Sequence, residues 1–203
     1  MKIGILGAPG AGKSEFAHRL KIKLSESLFP ESFYIIDDYV QDLKRETNLA
    51  LGPWAAHFEN YMIAGVRIAE EYRVKKYDTI TVGTVLDTLT YSLILGSYNL
   101  SLDSTNEEFE VAKAAVNGFG LIYSESWDYN LSFYLPLENP TGGERWPERV
   151  DKELRNVISS FHVPAVMQLD GTTDERLDVA TRIIEELETK SEEATEAETT
   201  PVD

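Results

Sequence analysis

Residues 7–14 read Gly-Ala-Pro-Gly-Ala-Gly-Lys-Ser and satisfy G-x-x-x-x-G-K-[ST] at every defined position. Each residue type in that pattern has a physical reason. The glycines let the backbone curl until successive N–H groups converge on one point, which is the geometry that receives phosphate oxygens. Lys13 is long enough to reach the β- and γ-phosphates, and the Ser14 hydroxyl is a hard oxygen ligand suited to Mg²⁺. A helix starting at Lys13 adds the positive end of its dipole. Gly7, Ala8, Pro9, Gly10, Ala11, Gly12, Lys13 and Ser14 are therefore expected to cradle a nucleoside triphosphate, with Ser14 on the metal. A phenylalanine at position 15 is considered as a further contact to the nucleotide, but the set is expected to end at Ser14.

A phosphate loop alone does not choose the phosphate acceptor. No N/T-K-x-D segment is present to read a guanine base, which leaves ATP as the expected donor. The strand Thr79–Val82 runs into Gly83-Thr84 and not into the Asp-Glu pair of strand-swapping motors. Phosphoryl transfer needs positioning, charge neutralisation and an acid near the attacking hydroxyl. Asp37 and Asp38 follow a short apolar run, where an acid can orient or deprotonate an acceptor; Asp38 can equally cap a helix. Asp87 can hold Mg²⁺ through water or cap the helix that follows it, and both readings stand. Arg145, Arg149, Lys152 and Arg155 form a basic stripe after Gly142-Gly143, suited to clamping transferring phosphates. The plainer reading of that stripe is a solvated face paired with Glu148, Asp151 and Glu153.

The elements that must position these groups are legible in the hydrophobic pattern. Lys2–Leu6, Phe33–Ile36, Thr79–Val82, Leu131–Leu135 and Pro164–Leu169 are short apolar runs expected as strands. Helices are expected over Lys13–Ser27, from Pro53 to Arg73, after Gly83, and over Glu107–Tyr123, Glu148–Phe161 and Asp174–Leu187. The second helix is read through the apolar residues Trp54, Phe58, Tyr61, Met62, Val66 and Ala69; Trp54, Phe58 and Tyr61 lie at helical spacing and read as core, with at least one of them available to stack on a base. Strands alternating with helices imply a three-layer α/β domain around a mostly parallel five-stranded sheet. His57 and His162 have no partner at metal-ligand spacing and read as structural.

With this order of elements, the chain resembles the P-loop nucleoside and nucleotide kinases, including the nicotinamide riboside kinase-like and deoxynucleoside kinase branches, from Met1 to about Leu187. The resemblance implies that Asp37-Asp38 lie near the acceptor hydroxyl. It implies that the helix Trp54–Arg73 binds substrate through Phe58, Glu59, Asn60 and Arg67. Val85–Tyr91 is similar to the segment after the third strand in these kinases, and Asp128-Tyr129-Asn130 to the lead-in of the fourth strand. Gly142–Arg155 resembles the arginine-bearing lid, with the lid as a whole expected over 138–155. Val166–Gly171 with Glu175-Arg176 resembles the last strand and the adenine-side loop. Many members carry an acid–arginine pair where this chain has Val82-Gly83, so Arg67 or a lid arginine is the candidate substitute.

The implied activity is ATP- and Mg²⁺-dependent transfer of a γ-phosphoryl group to a nucleoside, a nucleotide or a related small molecule. Two alternatives keep the phosphate loop: a kinase of a modified base in DNA, such as 5-hydroxymethyluracil, and a regulatory ATPase with no acceptor but water. The 203 residues carry 35 acids against 19 bases, a formal charge of −16, which disfavours a broad grip on nucleic acid. No apolar run reaches the roughly 18 residues of a membrane span, and the N-terminus has no secretory pattern. The absence of cysteine excludes a disulfide framework and suits the cytoplasm. A homodimer is allowed but not required. Residues 1–188 are expected as one domain, followed by a disordered acidic tail over 189–203.

Overall fold

Alternate side chains of β1, Lys2–Gly7, feed two different cores. Ile3 and Ile5 pack with Phe16, Leu20 and Leu24 of α1 (Lys13–Ser27), while Leu6 packs on the opposite side of the sheet. That alternation is the period of a strand buried on both faces. The computed structural model describes residues 1–27, 33–37, 57–100, 129–138, 145–160 and 165–199.

The other strands are β2 (Tyr34–Ile36), β3 (Thr79–Val82), β4 (Leu131–Leu135) and β5 (Val166–Gln168). Every pairing is parallel and the order is β2-β3-β1-β4-β5. The expected five-stranded α/β sheet is thus present, with each strand where an apolar run stands. β5 is shorter than the run read for it, and Pro164 lies outside the described residues.

The helices are α1, α2 (His57–Arg73), α3 (Val85–Leu100), α4 (Trp146–Ser160) and α5 (Thr173–Thr199). α1 and α5 cover one face through a core that includes Phe133, Leu177, Ala180 and Ile184, with Phe16 set edge-on to Phe133. Ala64 of α2, Leu86 and Leu89 of α3, and Leu154 and Val157 of α4 cover the other. The expected helix over 107–123 lies outside the described residues. Among the described residues no helix is long and apolar enough to cross a membrane.

Two expectations are corrected. On α2 the buried face is Ile63, Ala64 and Arg67, whereas Met62, Val66 and Ala69 are exposed. The stripe read from the sequence is offset by one position, because an arginine is not expected in a buried row. The last helix does not end at Leu187, the bound read for it, but continues to Thr199. Glutamate is the commonest residue of that stretch and is a good helix former, so a helix anchored by its first half propagates through it.

α4 is fixed by one buried carboxylate. Asp151 Oδ1 accepts the Tyr134 hydroxyl at 2.6 Å and the Leu137 N–H at 3.1 Å, and Oδ2 accepts from Arg155. Burial, with the Asp151 acceptor next, pushes the Tyr134 hydroxyl well above its ordinary pKa, so it remains a donor. Replacing Asp151 with Ala leaves a buried hydroxyl and a backbone N–H without their acceptor. The expected cost is about 2 kcal/mol of unfolding free energy, read from urea denaturation. An unmoved midpoint would show that this anchor is dispensable.

Candidate active site

The loop between β1 and α1 has the conformation its glycines permit. Gly10 and Gly12 adopt φ of 86° and 80°, in the left-handed region that L side chains avoid. Ala11 N–H closes a turn onto the Ala8 carbonyl at 3.1 Å, and the first α1 hydrogen bond runs from Phe16 N–H to the Gly12 carbonyl. The Ser14 side chain is exposed at the opening of α1. Lys13 is instead buried: its Nζ donates to the Gly7 carbonyl at 2.6 Å and to the Ala8 carbonyl at 3.3 Å.

One position next to the loop is corrected. Residue 15 is not a phenylalanine but Glu15, exposed in the first turn of α1 with its carboxylate 3.9 Å from Arg19. The phenylalanine stands one residue later, as Phe16, and is buried in the core against Phe133. A helix turns about 100° per residue, so neighbours in sequence point in different directions, here one to solvent and one to the sheet. Neither Glu15, an anion paired along its own helix, nor the buried Phe16 extends the phosphate loop beyond Ser14.

Asp87 meets Lys13 from α3, with Oδ1 3.9 Å from Lys13 Nζ and accepting the Gly7 N–H at 3.3 Å. Its other oxygen accepts the Thr84 N–H at 2.7 Å, and the Thr84 hydroxyl accepts the Leu86 N–H at 3.2 Å. Thr84 and Asp87 thus form the two halves of a helix N-terminal cap. α3 starts at Val85, directly after Gly83-Thr84 as expected, so Asp87 sits in its first turn and does not precede the helix. The two readings of Asp87 do not compete, because one oxygen caps the helix while the other faces the phosphate loop. Burial pushes its carboxyl up; the charges of Lys13 and then Arg67, followed by the Thr84 and Gly7 N–H groups, pull it back.

Arg67 reaches the same place from α2. Its Nη1 donates to the Val82 carbonyl at 3.3 Å, and the guanidinium covers Gly83. Four residues along α2, Glu71 accepts the hydroxyl of Tyr129, the buried residue that leads into β4. Burial and then Glu71 hold the Tyr129 hydroxyl well above its ordinary pKa, as a neutral donor. An arginine therefore does stand at the end of β3, supplied by a neighbouring helix. Gly83 makes room for it: φ is +67°, and a Cβ there would lie 2.6 Å from Arg67 Nη1. Gly83→Ala should destabilise the domain by about 2 kcal/mol, through backbone strain and displacement of Arg67. A thermal midpoint equal to wild type would disprove that packing.

The remaining expected residues are only partly gathered. Asp37 is exposed and faces His18 of α1 at 3.3 Å, while Asp38 lies outside the described residues. Phe58 and Asn60 fall in the first turn of α2, and their side chains lie outside the described set. Arg145 is exposed just before α4, Arg149 is half-buried one turn later, and Lys152 is exposed. Arg155, paired with Asp151, follows the plainer reading of the basic stripe. The α4 N-terminus begins beside the phosphate loop, since Trp146 stacks on Tyr91 at 5.9 Å and both pack on a cluster containing Ala8. Arg176, in the first turn of α5, is buried against Glu138 at 3.0 Å.

No protein-family model matches the sequence, and no curated protein sequence matches it. Solved structures do. NadR in complex with NR superposes with a TM-score of 0.66 at 13% identity, over 91% of this chain and 50% of that one. Thymidylate kinase from Ehrlichia chaffeensis gives 0.62 at 14% identity, over 90% of this chain and 98% of that one. Thymidylate kinase from Candida albicans gives 0.58 at 17%, with 92% of each chain covered.

The fold is that of the P-loop nucleotide kinases.

The chain spans about half the length of the NadR structure and nearly all of the two thymidylate kinases. Within the P-loop kinase fold, sequence reasoning missed the Thr84 cap, the Asp151 anchor and the Arg176–Glu138 pair. The T-x-x-D spacing of Thr84 and Asp87 was the available signal for the first. An arginine within the row Ile63, Ala64, Arg67 and Ile68 was the signal that Arg67 is buried.

Proposed function

We propose that the chain is an ATP- and Mg²⁺-dependent phosphotransferase that moves the γ-phosphoryl group to a hydroxyl or phosphate of a nucleoside, nucleotide or related small molecule. The observation that carries this reading is the meeting of Lys13, the Gly7 N–H and Asp87 at the carboxyl end of β1. In open parallel sheets that end is the ligand-binding crevice. The structural neighbours support a nucleoside-type acceptor, since one is described in complex with NR and two are thymidylate kinases.

Among the described residues no cluster of three or more His, Asp or Glu stands ready to hold a metal. That fits Mg²⁺, which usually enters on substrate phosphates with one or two protein oxygens and several waters. Ser14 Oγ and the loop-facing oxygen of Asp87 are the groups that would hold it. When bound with the nucleotide, the ion supplies neutralisation of charge on the transferring group.

The protein's own residues perform the rest. Lys13 leaves the Gly7 and Ala8 carbonyls for the β- and γ-phosphates, held by the loop amides and the N-terminus of α1. The acceptor oxygen attacks the γ-phosphorus in line, the bond to the bridging oxygen breaks, and ADP departs. Asp38, or Asp37 beside it, orients the acceptor and receives its proton, while Arg145 and Arg149 offset the developing charge.

The test is turnover of γ-labelled ATP with Mg²⁺ across nucleosides, nucleoside monophosphates, and single- and double-stranded DNA containing modified pyrimidines. Label should move to one class of small acceptor. Asp38→Asn should slow that transfer by roughly 10²-fold with ATP binding intact, and Asp37→Asn by less, since its carboxylate faces His18. Free phosphate released at one rate with every acceptor would replace this reading with a regulatory ATPase. Label found only in DNA would move the acceptor to a base in a polymer.

A further inference from the structure

The end of the sheet opposite the phosphate loop carries a surface at odds with the charge of the chain. Residues 72–77 read Tyr-Arg-Val-Lys-Lys-Tyr, three bases with no acid, in a chain of net charge −16. They comprise the last two residues of α2 and the segment after it, and lie against Tyr34 of the edge strand β2. Tyr34, Tyr72 and Tyr77 are 40%, 68% and 52% exposed, high values for aromatic side chains. Tyr34 stacks on Tyr77, the Arg73 guanidinium lies 5.9 Å from the Tyr34 ring, Lys76 Nζ 4.9 Å from Tyr77, and Lys75 Nζ 4.0 Å from Tyr72. Arg73 is paired with Glu70; neither Lys75 nor Lys76 has a carboxylate partner among the described residues. Each of the three rings has a cation beside it, so the surface joins exposed aromatic area to positive charge. Those features suit carboxylates on a peptide.

The same end of the domain projects a matching element. Arg19 pairs with Asp174 and Lys23 with Asp178, so α1 and α5 run side by side in the same direction, away from the phosphate loop. α1 ends at Ser27, whereas α5 continues to Thr199. From Arg182 onward α5 therefore outruns α1 by about 25 Å at 1.5 Å per residue. Between Ile183 and Thr199 the sequence places seven glutamates against one lysine, Lys190. Like charges one turn apart, as in Glu188, Glu192 and Glu196, repel along such a helix, and a partner of opposite charge relieves that repulsion.

We propose that the face formed by Tyr34, Tyr72, Arg73, Lys75, Lys76 and Tyr77 receives the acidic end of α5 from a second copy of this chain. The contact can be reciprocal about a two-fold axis, each copy lending its helix and its face. It stands at the end of the sheet away from the phosphate loop and does not depend on the phosphotransfer reading.

Two measurements on the full chain test it. The first is sedimentation of wild type and K75E/K76E at about 0.05 M and about 0.5 M salt, with thermal midpoints as the folding control. Wild type should associate at low salt and dissociate at high salt, and the variant should remain monomeric. The second is binding of a labelled synthetic peptide of residues 183–203 to both proteins. K75E/K76E should weaken it by roughly tenfold or more, and a peptide carrying E192K, E193K, E196K and E198K should recover binding to that variant. The proposal is overturned by a wild type that is monomeric in every condition, or by peptide binding indifferent to K75E/K76E. A single-stranded oligonucleotide that binds through Lys75 and Lys76 where the peptide does not would also overturn it, assigning the face to nucleic acid.

Discussion

Lys13→Ala should abolish phosphoryl transfer, lowering kcat by about 10³-fold or more. The ammonium is a buried positive charge beside the phosphate loop. It rests 2.6 Å from the Gly7 carbonyl and 3.9 Å from Asp87, so it is already desolvated and needs only a short swing to meet phosphate oxygens. Water cannot replace such a charge, because the lysine occupies a buried position and contributes in a low-dielectric setting. Its loss also leaves Arg67 as the remaining nearby countercharge of Asp87. Lys13→Met isolates the catalytic part, since it keeps most of the stem and removes the charge. Both variants should show the same collapse of kcat in the labelled-ATP assay, with a folded circular dichroism spectrum. A kcat within tenfold of wild type in either variant would remove Lys13 from the mechanism.

Asp87→Asn should separate two tasks that one side chain performs. The asparagine oxygen can still accept the Thr84 N–H, now made at 2.7 Å, so the start of α3 should survive and the thermal midpoint should move little. The charge facing Gly7 and Lys13 is gone. The expected result is a fall in kcat of roughly 10²-fold and a higher Mg²⁺ concentration at half-maximal rate. Asp87→Ala should add to this a loss of about 1 kcal/mol of stability, since the cap goes too. Unchanged Mg²⁺ dependence in Asp87→Asn would leave Asp87 as a helix cap alone.

The sequence displays some of this site and conceals the rest for physical reasons. The phosphate loop is local: eight consecutive residues determine their own conformation, so the motif and the element after it can be read directly. The strands are legible because each is a short apolar run, and the three central ones, β3, β1 and β4, are buried on both faces. Arg67 is harder to place, because its function depends on a contact between α2 and the end of β3 that no periodicity records. Gly83 looks like a gap in a family pattern, and only its positive φ and the guanidinium above it show why it is glycine. Asp151 reads as a solvated partner for a basic stripe; its burial depends on Tyr134 and Leu137, which are 17 and 14 residues away. The acidic end of α5 is misjudged from composition, which does not say whether a helix is already nucleated upstream.

The strand order has a consequence for how the protein is made. The nucleotide motif is complete by Ser14, but β1 takes its place only between β3 and β4, pairing Lys2 with Thr79 and Ile3 with Leu131. The carboxylate that faces the loop comes from position 87, and the strand register beside Gly7 is closed by Leu135. A chain leaving the ribosome therefore carries its ligand signature well before it has the means to use it, which arrive only once Leu135 has emerged. Closing β1 between such distant neighbours is the kind of long-range step that slows folding. A bound nucleotide favours the finished sheet over its precursors by mass action, so the ligand stabilises the completed domain and gives little help to the growing one.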